Sequence, residues 1–184
     1  MSLKTPDILA ALKRTGESLR WDGPVEVLLI GGAAGMIIGA LEPGRVTLDC
    51  DLMDCRPAAA EHAIDEAARN IAGELGLPEN WLNWQARQLD ILPDGWRSRR
   101  REVGRFGLLH VYAAGRMDLL AMKCYANRPQ DRQDIVAMKP TPEELEFVRR
   151  YLNMLRVPRR QADLDQVQSS LRTLKAIEDG HDHG

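Results

Sequence analysis

Apolar residues recur at helical spacing near the start of the chain. In residues 7–19, DILAALKRTGESL, the side chains of Ile8, Leu9, Ala11, Leu12 and Leu19 fall on one stripe, which predicts an amphipathic helix. Trp21-Asp22-Gly23-Pro24 ends it. The run VEVLLI at 25–30 is continuous rather than periodic, and it stops at Gly31-Gly32, the pattern of a short buried strand. Small residues then predict a helix from Ala33 to about Leu41. After a turn at Pro43-Gly44, strict alternation predicts a strand over 45–53. Its Val46, Leu48, Cys50 and Leu52 turn to the core, and Arg45, Thr47, Asp49 and Asp51 turn to the other face.

Residues 58–75 are strong helix formers, with Ile64, Ala67, Ala68, Ile71 and Leu75 at helical spacing, and Gly76-Leu77-Pro78 closes that helix. The stretch WLNWQ leads to a short strand expected over 88–92, followed by a turn at Pro93-Asp94-Gly95. Residues 96–105 carry no clear pattern. LLHVY at 108–112 reads as a strand and MDLLAMKCYA at 117–126 as a helix, and further helices are expected from Pro129, over 142–155 and over 163–178, the last two parted by Pro158. The order of elements is that of an α+β (α/β) chain, a small mixed sheet flanked by helices with a helical C-terminal part.

Composition narrows the function. The chain has 184 residues, 44% hydrophobic and 28% charged, which suffices for a packed core. Its 25 basic and 27 acidic residues leave a formal net charge of −2, so it does not coat nucleic acid by charge alone. Aromatic content of 5% argues against stacking platforms for single strands. The longest apolar run, 27–41, is shorter than the roughly 18 residues of a membrane helix and is flanked by Glu26 and Glu42. The N-terminus lacks the apolar core of a signal peptide, and Cys50, Cys55 and Cys124 form no CxxC pair, so a cytoplasmic protein with reduced thiols and no membrane partner is expected.

Two segments carry chemistry. Asp49 and Asp51, two apart on a predicted strand, share a face, and like charges so close call for a cation. Mg²⁺ suits them, because it binds through one or two carboxylates plus substrate phosphates. A solvent-facing strand edge also carries carboxylates, so the pair alone decides little. Gly31-Gly32, at a strand-to-helix turn, lets backbone N–H groups approach an anion, although glycines also serve a tight turn with no ligand. Together, a phosphate-type turn and a metal-type carboxylate pair on the next strand are more specific than either alone. Arg45 and Thr47, on the carboxylate face, are expected to position phosphates or brace the carboxylates.

GGAAGMIIGALEPGRVTLDCDL, beginning at Gly31, resembles the signature of the nucleotidyltransferase superfamily with the DNA polymerase β type of fold. The R-x-T-x-D-x-D form, the Leu-Pro-x-x-Trp-Leu-Asn stretch at 77–83 and the later LLAMKCYANRPQDRQDI are similar to its AbiEii-like and DUF6036-like branch, and the likeness covers roughly 25–135. It implies a nucleotidyltransferase-like domain over 1–139, with helices of 140–179 packing on it and a disordered tail at 180–184. It also implies a second cluster with Lys123 as a catalytic cation against the triphosphate, Arg128 and Asp131 as nucleotide-binding groups, and Asp134 as a catalytic carboxylate. A third carboxylate is expected from Asp134, with Asp131 and Asp90 as alternatives; Asp131 also fits the first turn of its helix whatever the function.

The resulting expectation is an enzyme, with one or two Mg²⁺ ions on Asp49 and Asp51 and the phosphates of a nucleoside triphosphate such as ATP at Gly31-Gly32. The acceptor is a hydroxyl of RNA (tRNA-like) or of a protein, with a toxin-type role and a cognate antitoxin protein as a further partner. Two rivals stand beside it: a non-catalytic nucleotide-binding or regulatory scaffold of the same fold, and a dinucleotide-binding Rossmann unit, disfavoured because Gly31-Gly32-x-x-Gly35 is not G-x-G-x-x-G. Arg97, Arg99, Arg100, Arg101 and Arg105 form the densest basic cluster, and Arg149, Arg150, Arg156, Arg159 and Arg160 a second; either would meet RNA or simply be solvated. His62 and His110 have no Ser or Cys context of a triad, and His181 and His183 would either touch a metal or, as is usual for a polar tail, belong to a frayed terminus.

Overall fold

Every strand among the described residues falls between Val25 and Ala113. The structure is a computed structural model and describes residues 2–89, 91–155 and 161–181. It gathers the chain into two compact units, Met1–Ile91 with Trp96–Gly115, and Leu92–Gly95 with Arg116–Gly184.

The first unit begins with α1, Thr5–Ser18, which buries Ile8, Ala11 and Leu12 completely, about 1.5–3 kcal/mol for each large side chain. β1 is Val25–Ile30, as the apolar run predicts, and α2 follows at once as Gly31–Ile37, shorter than the expected helix to Leu41. β2 is Cys50–Arg56, a short 3₁₀ turn at Ala58–Ala60 leads into α3, Glu61–Leu75, and Gly76 closes α3 in the left-handed conformation at φ 65°. β3 is Leu82–Asn83, and α4 (Trp96–Arg99), β4 (Arg101–Phe106) and β5 (Leu109–Ala113) complete the unit.

The five strands make one mixed sheet in the order β3-β2-β1-β5-β4. β1 runs antiparallel to β2 and parallel to β5, and β2 runs parallel to β3. A Rossmann unit needs its first two strands parallel, so the antiparallel β1–β2 pair removes that rival. The β1–β2 register slips between Leu28 and Leu29: Leu28 pairs with Asp54, yet Leu29 pairs with Leu52. Met53 is the extra residue of a bulge, and the bulge brings Asp51 opposite Ile30, the last residue before Gly31.

Three expectations are corrected here. The strand predicted over 45–53 starts only at Cys50, and Leu48, expected in the core, is 68% exposed. The reason is the length of its partner: Ile30↔Asp51 is the last β1–β2 pair, so residues before Cys50 run past the end of β1. Thr47 instead makes an isolated antiparallel bridge with Leu3. Among the described residues of 88–92 there is also no strand; Gln85–Leu89 is a 3₁₀ turn, and the strand lies earlier, at Leu82–Asn83. Trp81 fixes it there, fully buried, its Nε1 donating to Ala68 O at 3.0 Å and its carbonyl accepting from Cys50 N at 2.6 Å.

The second unit holds α5 (Arg116–Ala126), α6 (Pro129–Met138), α7 (Pro142–Met154) and α8 (Gln161–His181). Pro129 and Pro142 each sit in the first turn of their helices, where the missing N–H costs nothing. α7 begins with a capping box: Glu144 N donates to Thr141 Oγ1 at 3.3 Å while Thr141 N donates to Glu144 Oε2 at 3.0 Å. Thr141 and Glu144 thereby fix where the helix starts. Asn127, at φ 51°, joins α5 to α6 and ties them to α8, its Nδ2 donating to Ser169 Oγ and its Oδ1 accepting from Thr173 Oγ1. Arg156, Arg159 and Arg160 of the second basic set, and residues 182–184 of the expected tail, lie outside the described residues. No helix among the described residues is long and apolar enough to cross a membrane.

Candidate active site

Within the first unit, the glycine turn and the carboxylate segment meet. Gly31 has φ +68°, a conformation that costs a residue with a Cβ about 1–2 kcal/mol. A Cβ built there would lie 2.9 Å from Asp51 Oδ2. Next to it, a Cβ on Gly32 would lie 3.1 Å from Thr47 Oγ1. Asp51 and Thr47 thus close over two successive backbone positions that only glycine leaves open, and the bulge at Met53 is what gives Asp51 that register.

The Thr47 hydroxyl is engaged internally, 3.2 Å from Asp49 O, so it holds the backbone of Asp49. Arg45 donates through Nη1 to Val46 O. Cys50 lies between the two carboxylates and is fully buried; burial pushes its thiol far up, and Asp49 and Asp51 push it further. The thiol therefore stays neutral and serves as packing. As a donor set, Asp49 and Asp51 offer hard carboxylate oxygens from a half-buried position, which fits Mg²⁺ in the mode that takes one or two carboxylates and completes its shell from phosphates and water. Among the described residues no group of three or more His, Cys, Asp or Glu is placed to hold a metal, and Asp90 lies outside them.

The other predicted residues belong to the second unit and form one ionic group, in which Lys123, Asp131 and Asp134 are buried and Arg128 is exposed. Lys123, on α5, is 6% exposed and donates through Nζ to Asp131 Oδ1 at 3.2 Å and to Asp134 Oδ2 at 2.7 Å, both on α6. Arg128, just before α6, reaches back with Nε to Asp131 Oδ2 at 2.6 Å, and Gln130 Nε2 donates to Asp134 Oδ1 at 3.2 Å. The spacing explains the assembly: Asp131 and Asp134, three apart, share a face of α6, and the short link after α5 brings that face to Lys123. Cys124, next to the cluster, has its thiol raised to about 12, first by burial and then by Asp131, with Lys123 opposing.

Three arginines of the first basic cluster pair with acidic neighbours at the surface. Arg97 pairs with Asp54 at 2.9 Å and stacks on Trp96, Arg100 pairs with Glu26 at 2.9 Å and lies 3.7 Å over the Tyr112 ring, and Arg105 pairs with Glu102 at 3.2 Å. Arg149 and Arg150 of the second set pair with Glu146, and Arg149 also with Glu178. These contacts favour a structural reading of Arg97, Arg100, Arg105, Arg149 and Arg150. Asn83, a buried amide on β3, ends the Leu-Pro-x-x-Trp-Leu-Asn stretch of the family likeness but is given no role from sequence; its strand partner Asp51 is what draws attention to it.

The family model described as "Nucleotidyltransferase of unknown function (DUF6036)" matches residues 9–143 of the chain. No curated protein and no solved structure matches it.

Proposed function

The chain belongs to the DUF6036 family of nucleotidyltransferases of unknown function, and from that membership we propose that it moves a nucleoside monophosphate from a nucleoside triphosphate to a hydroxyl of an RNA or protein acceptor. The observation that carries the proposal is the meeting of Gly31 with Asp51 and of Gly32 with Thr47, which joins an anion-type turn to a metal-type carboxylate pair. The working domain is residues 1–139, which takes in the whole sheet together with α5 and α6.

Backbone N–H groups at Gly31-Gly32 would receive the phosphates, while the space left by the two missing side chains lets Asp51 and Thr47 come up against the turn. Asp49 and Asp51 would hold Mg²⁺, and that ion, when bound, neutralises the triphosphate and polarises the phosphorus under attack. Thr47 keeps the Asp49 backbone in place, and Arg45, which donates to Val46 O, lies on the same segment. In the transfer, an acceptor oxygen forms a bond to the α-phosphorus while the bond from that phosphorus to the bridging oxygen of pyrophosphate breaks. Pyrophosphate leaves with the electron pair, and the hydroxyl proton passes to a carboxylate or to water. Asp131 and Asp134 hold Lys123 by its Nζ and Asp131 also holds Arg128, so the four form one ionic group within the second unit; the family resemblance is what makes Lys123 and Arg128 candidates for the phosphates and Asp134 the candidate third carboxylate. The setting is cytoplasmic, and a toxin-type role would bring a cognate antitoxin.

The test is transfer of α-labelled nucleotide from each of four triphosphates, with Mg²⁺, to RNA and to protein acceptors. Asp49→Asn is expected to abolish it; undiminished transfer would sink the assignment. The neutralisation of Lys123 by two buried aspartates favours a second reading, a nucleotide-binding scaffold without turnover. That reading predicts thermal stabilisation by Mg²⁺ and triphosphate with no transfer to any acceptor.

A further inference from the structure

The position in register with Asp51 on the neighbouring strand is an amide. β2 and β3 run parallel, with Asp51 paired to Asn83, so the two side chains leave the same face of the sheet from adjacent strands. Asn83 is 8% exposed. Its Oδ1 accepts from Gln85 N at 3.0 Å. A backbone N–H only donates, so this contact fixes which end of the amide is oxygen and leaves Nδ2 as the other. Nδ2 is buried without a hydrogen-bond partner, and it is the one buried side-chain nitrogen or oxygen in that condition among the described residues. An unmade buried donor is costly, and natural proteins keep few of them. Asn83 also borders a cavity of about 450 Å³ whose lining includes Asp65, Arg69, Glu79 and Trp84 and neither Asp49 nor Asp51, so it is the register with Asp51 and the unpartnered Nδ2 that tie Asn83 to the carboxylates.

We infer that Asn83 is a substrate-binding residue whose Nδ2 donates to a non-bridging phosphate oxygen of the triphosphate held at Asp49 and Asp51. The inference rests on the nucleotidyltransferase reading above. Nδ2 is a donor with no lone pair to give, and Oδ1 is already occupied, so Asn83 serves the anion and leaves the cation to the carboxylates. An amide does not titrate, so this position next to Asp51 supplies neither a base nor a third carboxylate. It supplies a neutral donor where a second negative charge would repel the phosphates.

The test uses the full chain, with Mg²⁺ and inorganic triphosphate as one probe and Mg²⁺ with each nucleoside triphosphate as the other. Asn83→Ala removes the donor without adding charge and is expected to weaken binding of both probes by about tenfold, the effect of one hydrogen bond to a charged group. Equal binding by wild type and Asn83→Ala overturns the inference and leaves the enzyme reading standing. Loss with the nucleotides but not with inorganic triphosphate overturns it too, because the partner is then the nucleoside. A wild type that binds neither probe removes the enzyme reading, and this inference with it. Should Asn83→Ala not fold, the wild type decides: in protein labelled with ¹⁵N-asparagine, the side-chain amide resonances of Asn83 are expected to shift on titration with Mg²⁺ and inorganic triphosphate, and unmoved resonances overturn the proposal.

Discussion

Asp51 Oδ2 lies 2.9 Å from the point where a Cβ on Gly31 would stand, so the first glycine of the turn is a space that the carboxylate occupies. Gly31→Ala faces two costs, the positive φ and the carboxylate itself. The backbone part is about 1–2 kcal/mol, to be read as a lowered urea midpoint. The carboxylate, as the movable partner, shifts, so Mg²⁺-dependent triphosphate binding is expected to fall by more than the stability loss explains. Gly32→Ala, whose neighbour is the Thr47 hydroxyl at 3.1 Å, is expected to do less on both counts.

Lys123 bridges two buried carboxylates, and removing it breaks the ion pair with Asp134 at 2.7 Å and leaves Asp131 with Arg128. Lys123→Met is expected to lower stability by about 3–5 kcal/mol, the usual cost of breaking a buried pair from one side. Asp134→Asn in the same chain should cost less than the sum of the two single changes, because the residues are coupled at 2.7 Å. Urea unfolding of the four proteins in the cycle measures this. An additive pair of changes would show that the cluster is not coupled.

Glu144 contributes to the acid sensitivity of the second unit. Burial pushes its carboxyl up, but hydrogen bonds from Arg116, at 2.7 and 3.2 Å, and from Thr141 N outweigh burial and hold it below its ordinary value of 4.5. A depressed folded pKa stabilises above the unfolded value and loses that contribution as pH falls through the folded one. Wild type should therefore lose stability below pH 4.5 more steeply than Glu144→Gln, whose side chain does not titrate. Unfolding free energies measured down the acid range test the difference in slope.

Cys124 gives the opposite sign at high pH. Its thiol is raised from 9.0 to about 12, first by burial. Below pH 9 both folded and unfolded thiols are protonated and contribute nothing to the pH dependence; above it the unfolded thiol ionises while the folded one does not, so stability falls as pH climbs towards 12. Compared with Cys124→Ala, wild type should lose up to about 1.4 kcal/mol more per pH unit in that range. Equal slopes would mean that the buried thiol titrates normally.

Much of this was written locally. β1 and the C-terminal helices follow from apolar runs, period and proline placement, and these depend on neighbours within a few residues. The strand over 45–53 was misplaced because alternation reports a period and not a partner: Leu48 has the pattern of a core residue, but β1 has already turned at Gly31 and offers it no neighbour.

The sequence alone determined the mixed α and β composition, the pairing of Gly31-Gly32 with Asp49 and Asp51, and the family resemblance that those residues carry, because each depends on residue type and short spacing. The tertiary structure alone decided which atoms meet. The bulge at Met53 sets Asp51 against Gly31, the α5–α6 link seats Lys123 between Asp131 and Asp134, and the parallel ladder puts Asn83 beside Asp51. Those are contacts between segments distant in the chain or on separate elements, and a one-residue change in register moves a side chain to the opposite face, so no local pattern specifies them.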